Sequence, residues 1–425
     1  MAGIMVGCNF ERRADLGYRV FQGLFTVQHR GEHNCSITAL FPDQPVKSKQ
    51  KERLLGDAFH GTSWPDYDGT VVLGRVGCNF PEAFTNPILN ANTNGAIIYE
   101  GQLSGSPRQL LRDRARAATH LVQYMKSFPG AYGLLVGFPD QLLVCRDPRG
   151  VRQLSIGASE DGSWFVATES ASIAAAGATV QGNLEPGQIV CLSSKGMEVQ
   201  PGITYFAKRP CVSEVTSRMM FNSDWHNRSV EHWRQQLAEH LASRFSYPAD
   251  AVIPIPRAAL VGAQAFAAAL DIPYREVLYY NRYHNRIGNH VAGLDPVDLK
   301  FSFIESQLNG LRRVALVDDS VRSGETMAGI ARRLRQRGVE IIHGVAMNPL
   351  ITKPCQYGVP NWPAGGIIEN GTAGDVILKL GLDSLTIVNL DDLREIFGSK
   401  ICSYCFGGEK PIAFSRRVYT PPQST

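Results

Sequence analysis

The chain has 425 residues, more than one hydrophobic core usually serves, so we expect two domains of roughly 200 residues each. Hydrophobic residues make up 44% of the chain and charged residues 19%, which is ordinary for a globular enzyme and excludes a disordered or collagen-like protein. The formal net charge of +4 is spread along the chain, so the sequence gives no argument for nucleic acid as a partner.

Charge placement and cysteine content both bear on the compartment. Charged residues begin at Glu11, too early for a signal-peptide core, and no apolar run reaches the roughly 18 residues that span a bilayer. We therefore expect a cytoplasmic protein without a membrane partner. Nine cysteines in a chain of this length do not form a disulfide framework, and in a reducing compartment they favour buried thiols or metal ligands.

The first half of the chain is predicted to consist of short strands after one early helix. Apolar residues keep helical spacing in that helix, at Leu16, Val20, Leu24 and Val27. Strand-like runs follow at residues 70–74, 96–99, 132–138, 141–145, 164–167 and 188–192. This alternation predicts packed sheets that end near residue 205.

The second half alternates strands with helices, which predicts a parallel sheet. A helix carries Val230, Leu237 and Leu241. The elements predicted after it are a strand at residues 251–255, a helix at 258–270, a strand at 314–317, a helix at 325–337 and a strand at 339–346. The polar segment 281–298 has few helix or strand signals, and a long loop of this kind beside a nucleotide-type site is often a mobile lid.

The most informative segment runs Val-Ala-Leu-Val-Asp-Asp-Ser-Val-Arg-Ser-Gly-Glu-Thr over residues 314–326. After a buried-type strand, backbone N–H groups at the start of the next helix can converge on a phosphate, and Gly324 allows close approach. Asp318 and Asp319 can hold ribose hydroxyls, a magnesium-bound sugar phosphate or a developing positive charge. Two solvated acids and a capping serine are the alternative, but the complete string favours the phosphate site.

This string resembles the phosphoribosylpyrophosphate (PRPP) motif of type I phosphoribosyltransferases. The resemblance implies that the donor's 5-phosphate and ribose are bound by Ser320, Arg322, Ser323, Gly324, Glu325 and Thr326 together with the two aspartates. Further segments resemble glutamine PRPP amidotransferases, in the order found in that family. They are Gln28-His29-Arg30-Gly31, Glu100-Gly101-Gln102-Leu103, Arg146-Asp147-Pro148-Arg149-Gly150, Ala167-Thr168-Glu169-Ser170, Glu185-Pro186-Gly187, Cys355-Gln356-Tyr357-Gly358 and Cys402-Ser403-Tyr404-Cys405-Phe406.

The family resemblance implies a fold and a division of the chain. Residues 1–205 are expected to form an α+β domain, a glutaminase-like αββα sandwich of the N-terminal-nucleophile type. Residues 206–400 are expected to form an α/β phosphoribosyltransferase domain with a parallel sheet. Residues 401–425 are then a C-terminal tail that carries a Cys-x-x-Cys pair.

The glutaminase motif departs from the family pattern at three positions. Ala2 stands where the family has a nucleophilic cysteine, and a methyl group cannot attack an amide. Gly77 replaces the arginine expected to bind the glutamine carboxylate, and Glu100 replaces the oxyanion-binding asparagine, where a carboxylate would oppose a developing negative charge. Cys8, the nearest thiol in sequence, is expected to be a buried strand residue. We therefore predict a domain without glutaminase activity.

The transferase motif also departs from the family. Its pyrophosphate loop usually reads Val-Pro-Asp-Ser-Gly, whereas here Ile-Pro is followed by Arg257. That arginine could bind a diphosphate, could mark a different leaving group or could be a plain surface residue. The lid segment is poor in basic residues, with Arg282, Arg286 and Lys300 as the remaining candidates for donor binding.

Four cysteines match places that hold a 4Fe-4S cluster in some amidotransferases of this family. They are Cys211, Cys355, Cys402 and Cys405. Four thiolates suit such a cluster, zinc is the second possibility because it accepts the same ligands, and four unrelated buried thiols are the third. The other cysteines, Cys35, Cys78, Cys145 and Cys191, are predicted to be packing residues.

The expected reaction is transfer of a phosphoribosyl group from Mg-PRPP to ammonia or a small amine, without glutamine hydrolysis, in a specialised biosynthetic pathway. Asp318 and Asp319 would bind Mg2+ and stabilise an oxocarbenium-like state. The nitrogen could come from free ammonia, a partner glutaminase or an amine substrate. The alternatives are a catalytically silent protein that senses PRPP or a nucleotide, and an amidotransferase disabled by mutation. The resemblance also implies a homo-oligomer.

Overall fold

The computed structural model describes residues 2–11, 15–78, 87–281, 295–358 and 373–412. Its strands are β1 (Ala2–Cys8), β2 (Asn34–Leu40), β3 (Lys47–Lys51), β4 (Val71–Gly77), β5 (Ile88–Asn90), β6 (Gly95–Gln102), β7 (Ala131–Phe138), β8 (Gln141–Arg146), β9 (Ser155–Ala158), β10 (Trp164–Ala167), β11 (Thr179–Asn183), β12 (Ile189–Ser193), β13 (Gly196–Gln200), β14 (Asp224–Trp225), β15 (Arg228–Ser229), β16 (Ala251–Pro254), β17 (Leu278–Tyr280), β18 (Phe301–Phe303), β19 (Arg313–Asp318), β20 (Ile341–Ala346) and β21 (Ser384–Ile387). Its α-helices are α1 (Leu16–Thr26), α2 (Leu55–Ala58), α3 (Ala117–Ser127), α4 (Ser170–Ala175), α5 (Val212–Ser217), α6 (Val230–Ala242), α7 (Leu260–Leu270), α8 (Pro296–Lys300), α9 (Glu325–Gln336), α10 (Ala373–Leu380) and α11 (Leu390–Phe397). Within these ranges, none of the helices has the length and apolar character needed to cross a membrane.

Two antiparallel sheets form the first half of the described chain. One has seven strands in the order β11-β9-β10-β1-β4-β2-β3, and the other has six in the order β13-β12-β8-β7-β6-β5. Side chains alternate across β1, so Ile4 and Val6 face the second sheet and pack with Leu73, Ile98 and Val144. The two sheets therefore bury one apolar layer between them.

Helices cover the outer faces of both sheets. Val20 and Leu24 of α1 pack with Met5 on the outer face of the seven-stranded sheet. Leu121 of α3 packs with Leu134 on the outer face of the six-stranded sheet. The layers are helix, sheet, sheet and helix, which confirms the predicted α+β sandwich.

The second half is built on a four-stranded parallel sheet with the order β16-β19-β20-β21. Helices α6, α7 and α11 pack on one face, around Val252 and Val317. Helices α9 and α10 pack on the other face, around Ile253 and Leu316. A sheet buried on both faces explains its continuous apolar strands and confirms the predicted α/β domain.

Several predicted boundaries differ from the structure by one to three residues, and two of these differences have a clear local cause. Helix α7 begins at Leu260 rather than at residue 258, because Ala258 and Ala259 belong to the turn after β16. Strand β20 begins at Ile341 rather than at residue 339, because Val339 N–H still donates to the Leu334 carbonyl in the turn after α9. The proposed domain limits at residues 205 and 400 stay a prediction. Most of the predicted lid, including Arg282 and Arg286, lies outside the described residues.

Candidate active site

A cleft of about 550 Å³ opens where β16 and β19 end. Because both strands are parallel, the loops after them meet at one edge of the sheet, where open α/β folds bind ligands. The predicted donor-binding residues that the structure describes all line this cleft, namely Arg257, Lys300, Asp318, Asp319, Ser320, Arg322, Ser323, Gly324, Glu325 and Thr326. Tyr280 also lines it and was not predicted, because no motif marks the strand before the lid.

The loop after β19 is shaped for close approach to an anion. Val321 is buried in the core and anchors the loop. Gly324 has a φ of 79° and stands just before α9, so the backbone turns there in a conformation that suits glycine. The first N–H groups of α9 therefore face the cleft, and a helix N-terminus favours a phosphate.

Asp318 is the last residue of β19 and is buried, whereas Asp319 follows the strand and is partly exposed. Asp318 is buried, and one of its oxygens accepts a hydrogen bond from the Asp319 N–H at 2.8 Å. Burial and the neighbouring Asp319 carboxylate raise the pKa of Asp318 well above its ordinary value. Asn348 fixes the loop by donating from its side-chain amide to the Asp319 carbonyl at 3.1 Å. The pair can therefore accept both ribose hydroxyls and a cation carried by the substrate.

Basic side chains complete the cleft on its other walls. Burial lowers the pKa of Lys300, an effect that the Asp318 charge opposes. Arg257 follows a cis peptide bond after Pro256. Within the described ranges, the Arg257 side chain has no ion pair or hydrogen bond, so its charge is open to a ligand.

The three altered glutaminase positions lie together around Arg30. Ala2 pairs directly with Gly77 across β1 and β4. The Arg30 Nε–H donates to the Ala2 carbonyl at 3.2 Å, and its Nη2 lies 3.6 Å from Glu100 Oε2. Burial raises the pKa of Glu100, against the influence of Arg30 and Arg152. Cys8 is fully buried at the other end of β1, as predicted.

The structure adds Arg75 to this pocket, which the sequence did not suggest. Residues 75 and 77 share one face of β4, and a Cβ built on Gly77 would lie only 2.7 Å from Arg75 Nη1. The Arg75 guanidinium thus fills the space beside Gly77 and donates to Asn34 Oδ1 at 3.1 Å. The pocket therefore still contains an arginine guanidinium beside residue 77, but that guanidinium belongs to residue 75.

A buried charge network links this pocket to the second half of the chain. Arg30 donates to Glu169 at 2.8 Å and to Glu214 at 2.7 Å, and Arg152 also binds Glu214. Burial opposes the charge on Glu214, but the two guanidiniums lower its pKa. Arg152 donates in addition to the Tyr357 carbonyl at 2.7 Å. The pocket around Ala2, Gly77 and Glu100 is therefore filled with paired charges.

The four cysteines predicted to be cluster ligands gather at this junction. Cys211 and Cys402 form a β-bridge, and their hydrogen bond together with burial raises the pKa of Cys211. Cys355 packs on the same apolar cluster, and Cys405 is near enough to Cys211 and Cys355 for their charges to act with burial in raising its pKa. Across the described ranges, no three His, Cys, Asp or Glu side chains are arranged to hold one metal ion.

The donor set allows the metal types to be compared. Zinc with sulfur bonds of about 2.3 Å draws all four ligands to one atom, which this arrangement does not match. A 4Fe-4S cluster gives each thiolate its own iron and accepts more widely spaced sulfurs. Four thiolates near one junction match the number of ligands that such a cluster needs, and the cluster stays a prediction.

Comparisons with known proteins agree with both halves of this architecture. A family model described as a phosphoribosyl transferase domain matches residues 225–367. Amidophosphoribosyltransferase 1, chloroplastic, from Arabidopsis thaliana is 26% identical over 92% of this chain and 76% of its own length. The amidophosphoribosyltransferase of Methanocaldococcus jannaschii is 27% identical over 97% of this chain and 98% of its own. The solved glutamine PRPP amidotransferase from B. subtilis, complexed with ADP and GMP, covers 99% of both chains with a TM-score of 0.86 and 23% identity.

Proposed function

The chain belongs to the glutamine PRPP amidotransferase family, and from this premise we propose that it transfers a phosphoribosyl group from Mg-PRPP to ammonia or a small amine without hydrolysing glutamine. The observation that carries the proposal is the pairing of two sites in one chain. A complete phosphate loop with two aspartates lines the cleft, while the glutaminase pocket has Ala2 in place of a nucleophile. The donor chemistry is retained and the nitrogen-releasing chemistry is not.

The proposed reaction is a substitution at C1 of the ribose. The nitrogen lone pair of the acceptor forms a bond to C1 as the bond from C1 to the diphosphate oxygen breaks. The diphosphate leaves with that electron pair, and the nitrogen then loses a proton to solvent. Asp318 and Asp319 stabilise the positive charge that develops on the sugar, and the N-terminus of α9 binds the 5-phosphate. Arg257 and Lys300 favour the diphosphate as it gains charge.

The environment of Glu100 supports the absence of glutamine chemistry. An amide hydrolysis passes through an oxyanion, which needs a hydrogen-bond donor at this position. Glu100 is 2% exposed, and its Oε2 has no hydrogen-bond partner among the described residues. A carboxylate there would repel the oxyanion, so restoring a cysteine alone would not restore the reaction.

The proposal includes a 4Fe-4S cluster held by Cys211, Cys355, Cys402 and Cys405. When bound, such a cluster would cross-link the C-terminal tail to both halves of the chain. Its role is structural, because the cysteines belong to the junction rather than to the residues that line the cleft. We also propose a cytoplasmic homo-oligomer in a specialised biosynthetic pathway, in which a partner protein can supply ammonia.

The test is diphosphate release from Mg-PRPP by protein purified without oxygen. Ammonia, glutamine and small amines are offered separately, with Asp319→Asn as the inactive control. Release with an amine or ammonia, and none with glutamine, is the expected result. PRPP binding without release in any mixture would replace the proposal by a sensing role, whereas release that depends on glutamine would overturn the loss of glutaminase activity.

A further inference from the structure

Arg234 of α6 is a buried arginine that the proposed reaction does not use. Its side chain is 2% exposed. Its guanidinium donates to three backbone carbonyls, from Nε to Val215 at 3.1 Å, from Nη2 to Met219 at 2.8 Å and from Nη1 to Ala258 at 3.5 Å. Among the residues that the structure describes, no carboxylate forms an ion pair with it. All of its hydrogen bonds there are to the main chain.

A charged side chain at this buried position needs a physical reason, because burial of a guanidinium is unfavourable. Burial lowers the pKa of Arg234, although the charges of Asp319 and Glu169 oppose this effect. Nε, Nη1 and Nη2 each have a separate acceptor, and the planar fork of arginine presents donors in all of these directions. The side chain is therefore suited to holding three carbonyls in one fixed arrangement.

These carbonyls belong to two segments that are far apart in sequence. Val215 lies in α5 and Met219 follows that helix, whose Glu214 belongs to the buried charge network at the junction. Ala258 lies in the turn after β16, lines the cleft and directly follows Arg257. One guanidinium therefore connects the junction to the turn that carries Arg257.

Packing supports the same connection. Val215, Met219 and Ala259 are buried in one apolar cluster, so both segments belong to the same core. Where α7 begins, the Leu260 N–H donates to the Arg257 carbonyl at 3.3 Å. The backbone of the turn is thus held in place, while the Arg257 side chain has no ion pair within the described ranges and is open to a ligand.

We propose that Arg234 is a positioning residue for donor binding: by holding the Ala258 carbonyl to the end of α5, it fixes the backbone from which Arg257 reaches the diphosphate. This inference rests on the proposed function and adds to it a residue outside the cleft. Arg234 is not among the residues that line the cleft, so it acts through the turn rather than on the donor itself. Its loss should therefore weaken the use of the donor and spare the acceptor.

The experiment compares Arg234→Gln and Arg234→Lys with a matched control in the first half of the chain. Arg146 is 4% exposed and also donates to three backbone carbonyls. Those carbonyls belong to Arg152, Leu184 and Gly150, none of which lines the cleft. KM for PRPP, KM for the acceptor, kcat and the free energy of unfolding are measured for each variant and for the unchanged protein.

Arg234→Gln should raise KM for PRPP by about 10-fold, the effect of losing one charge-assisted hydrogen bond, and change KM for the acceptor by less than about 2-fold. Arg234→Lys keeps the charge but reaches fewer carbonyls, so it should recover part of the loss. Arg146→Gln should lower the free energy of unfolding without changing KM for PRPP. The inference is wrong if Arg234→Gln lowers only the free energy of unfolding or raises KM for the acceptor instead. If Arg234→Gln does not fold, an unchanged KM for PRPP in Arg234→Lys overturns it.

A double-mutant cycle tests whether Arg234 acts through Arg257. Arg257→Gln alone should raise KM for PRPP. Adding Arg234→Gln should then raise it by less than about 2-fold more, because the contact that Arg234 positions is already lost. Two increases that simply multiply in the double variant would show independent effects and overturn the proposed route.

A binding measurement separates this inference from the proposed function. Calorimetry of magnesium diphosphate is carried out on the unchanged protein, Arg234→Gln and Arg146→Gln. Weaker binding by Arg234→Gln alone supports the inference even if no mixture of substrates leads to diphosphate release. Equal affinities would refute the inference while leaving the transferase reaction intact, and an unchanged protein that binds no diphosphate would overturn both.

Discussion

Replacing Glu169 by glutamine is expected to weaken the junction between the two halves of the chain. Glu169 has no exposed surface and accepts hydrogen bonds from both sides of this junction. His29 and Arg30 donate to Oε1, at 3.0 and 2.8 Å. Met220 N–H and Ser223 Oγ donate to Oε2, both at 2.9 Å. A glutamine keeps the size but would turn an amide N–H₂ toward one of these pairs of donors.

The size of the effect follows from the ionisation of this carboxyl. Burial opposes the charged form, but the hydrogen bond from His29 and the charges of His29 and Arg30 lower the pKa of Glu169 from 4.5 to about 2. A depression of this size corresponds to about 3 kcal/mol of folding free energy. The contribution is complete above pH 4.5 and is lost as the pH falls toward 2, because the folded state binds the proton more weakly.

The assay is urea unfolding followed by tryptophan fluorescence, with Glu160→Gln as an exposed control on the same half of the chain. At pH 7 the Glu169→Gln variant should lose about 3 kcal/mol, while the control should change by less than about 0.5 kcal/mol. Between pH 7 and 3.5 the difference between variant and unchanged protein should shrink by about 1.4 kcal/mol. A loss below about 1 kcal/mol at pH 7, or a difference that does not vary with pH, would refute the reasoning.

Three further substitutions test the two sites and the cysteines. Ala2→Cys, with removal of Met1 checked by mass spectrometry, should release no glutamate from glutamine because Glu100 opposes the oxyanion, and measurable release would contradict this. Asp319→Asn should lower kcat/KM for diphosphate release by about 100-fold or more with little change in unfolding free energy, and near-normal activity would remove Asp319 from the reaction. Cys405→Ser should lose iron and sulfide in chemical analysis and also lower the unfolding midpoint, whereas complete iron loss at an unchanged midpoint would exclude a structural role.

The sequence predicted those helices and strands that show a regular spacing of apolar residues within one short segment. Helix α1 has a clear apolar stripe, and strands β7 and β8 were predicted to within one residue of their observed bounds. The apolar pattern did not delimit strand β1, of which only Cys8 was expected to be a strand residue. All of its residues are buried, because it lies between β4 and β10 in the middle of a sheet covered on both faces, so it lacks the alternation that marks a strand.

The same distinction applies to the candidate sites. The phosphate loop is continuous in sequence, so the residues expected to line the cleft could be named from one string. Arg30 meets Glu169 and Glu214 across 139 and 184 positions of sequence, and only the fold brings such residues together. Arg75 was missed for a different reason: a motif assigns a role to a position, whereas a long side chain can reach the same space from two residues away.

The fit between the two halves suggests a role for the glutaminase-like domain that is compatible with the proposed loss of glutamine chemistry. A Cβ built on Gly358 would lie 2.6 Å from the Cα of Gly101, so the segment that carries Cys355 packs against the strand that would otherwise supply the oxyanion site. Arg152 holds the same segment through the Tyr357 carbonyl. Because Glu214 binds Arg30 and Glu169 accepts from the Met220 N–H, the first half of the chain can support the second half mechanically. That support requires paired charges and close packing, and it requires no nucleophile at residue 2.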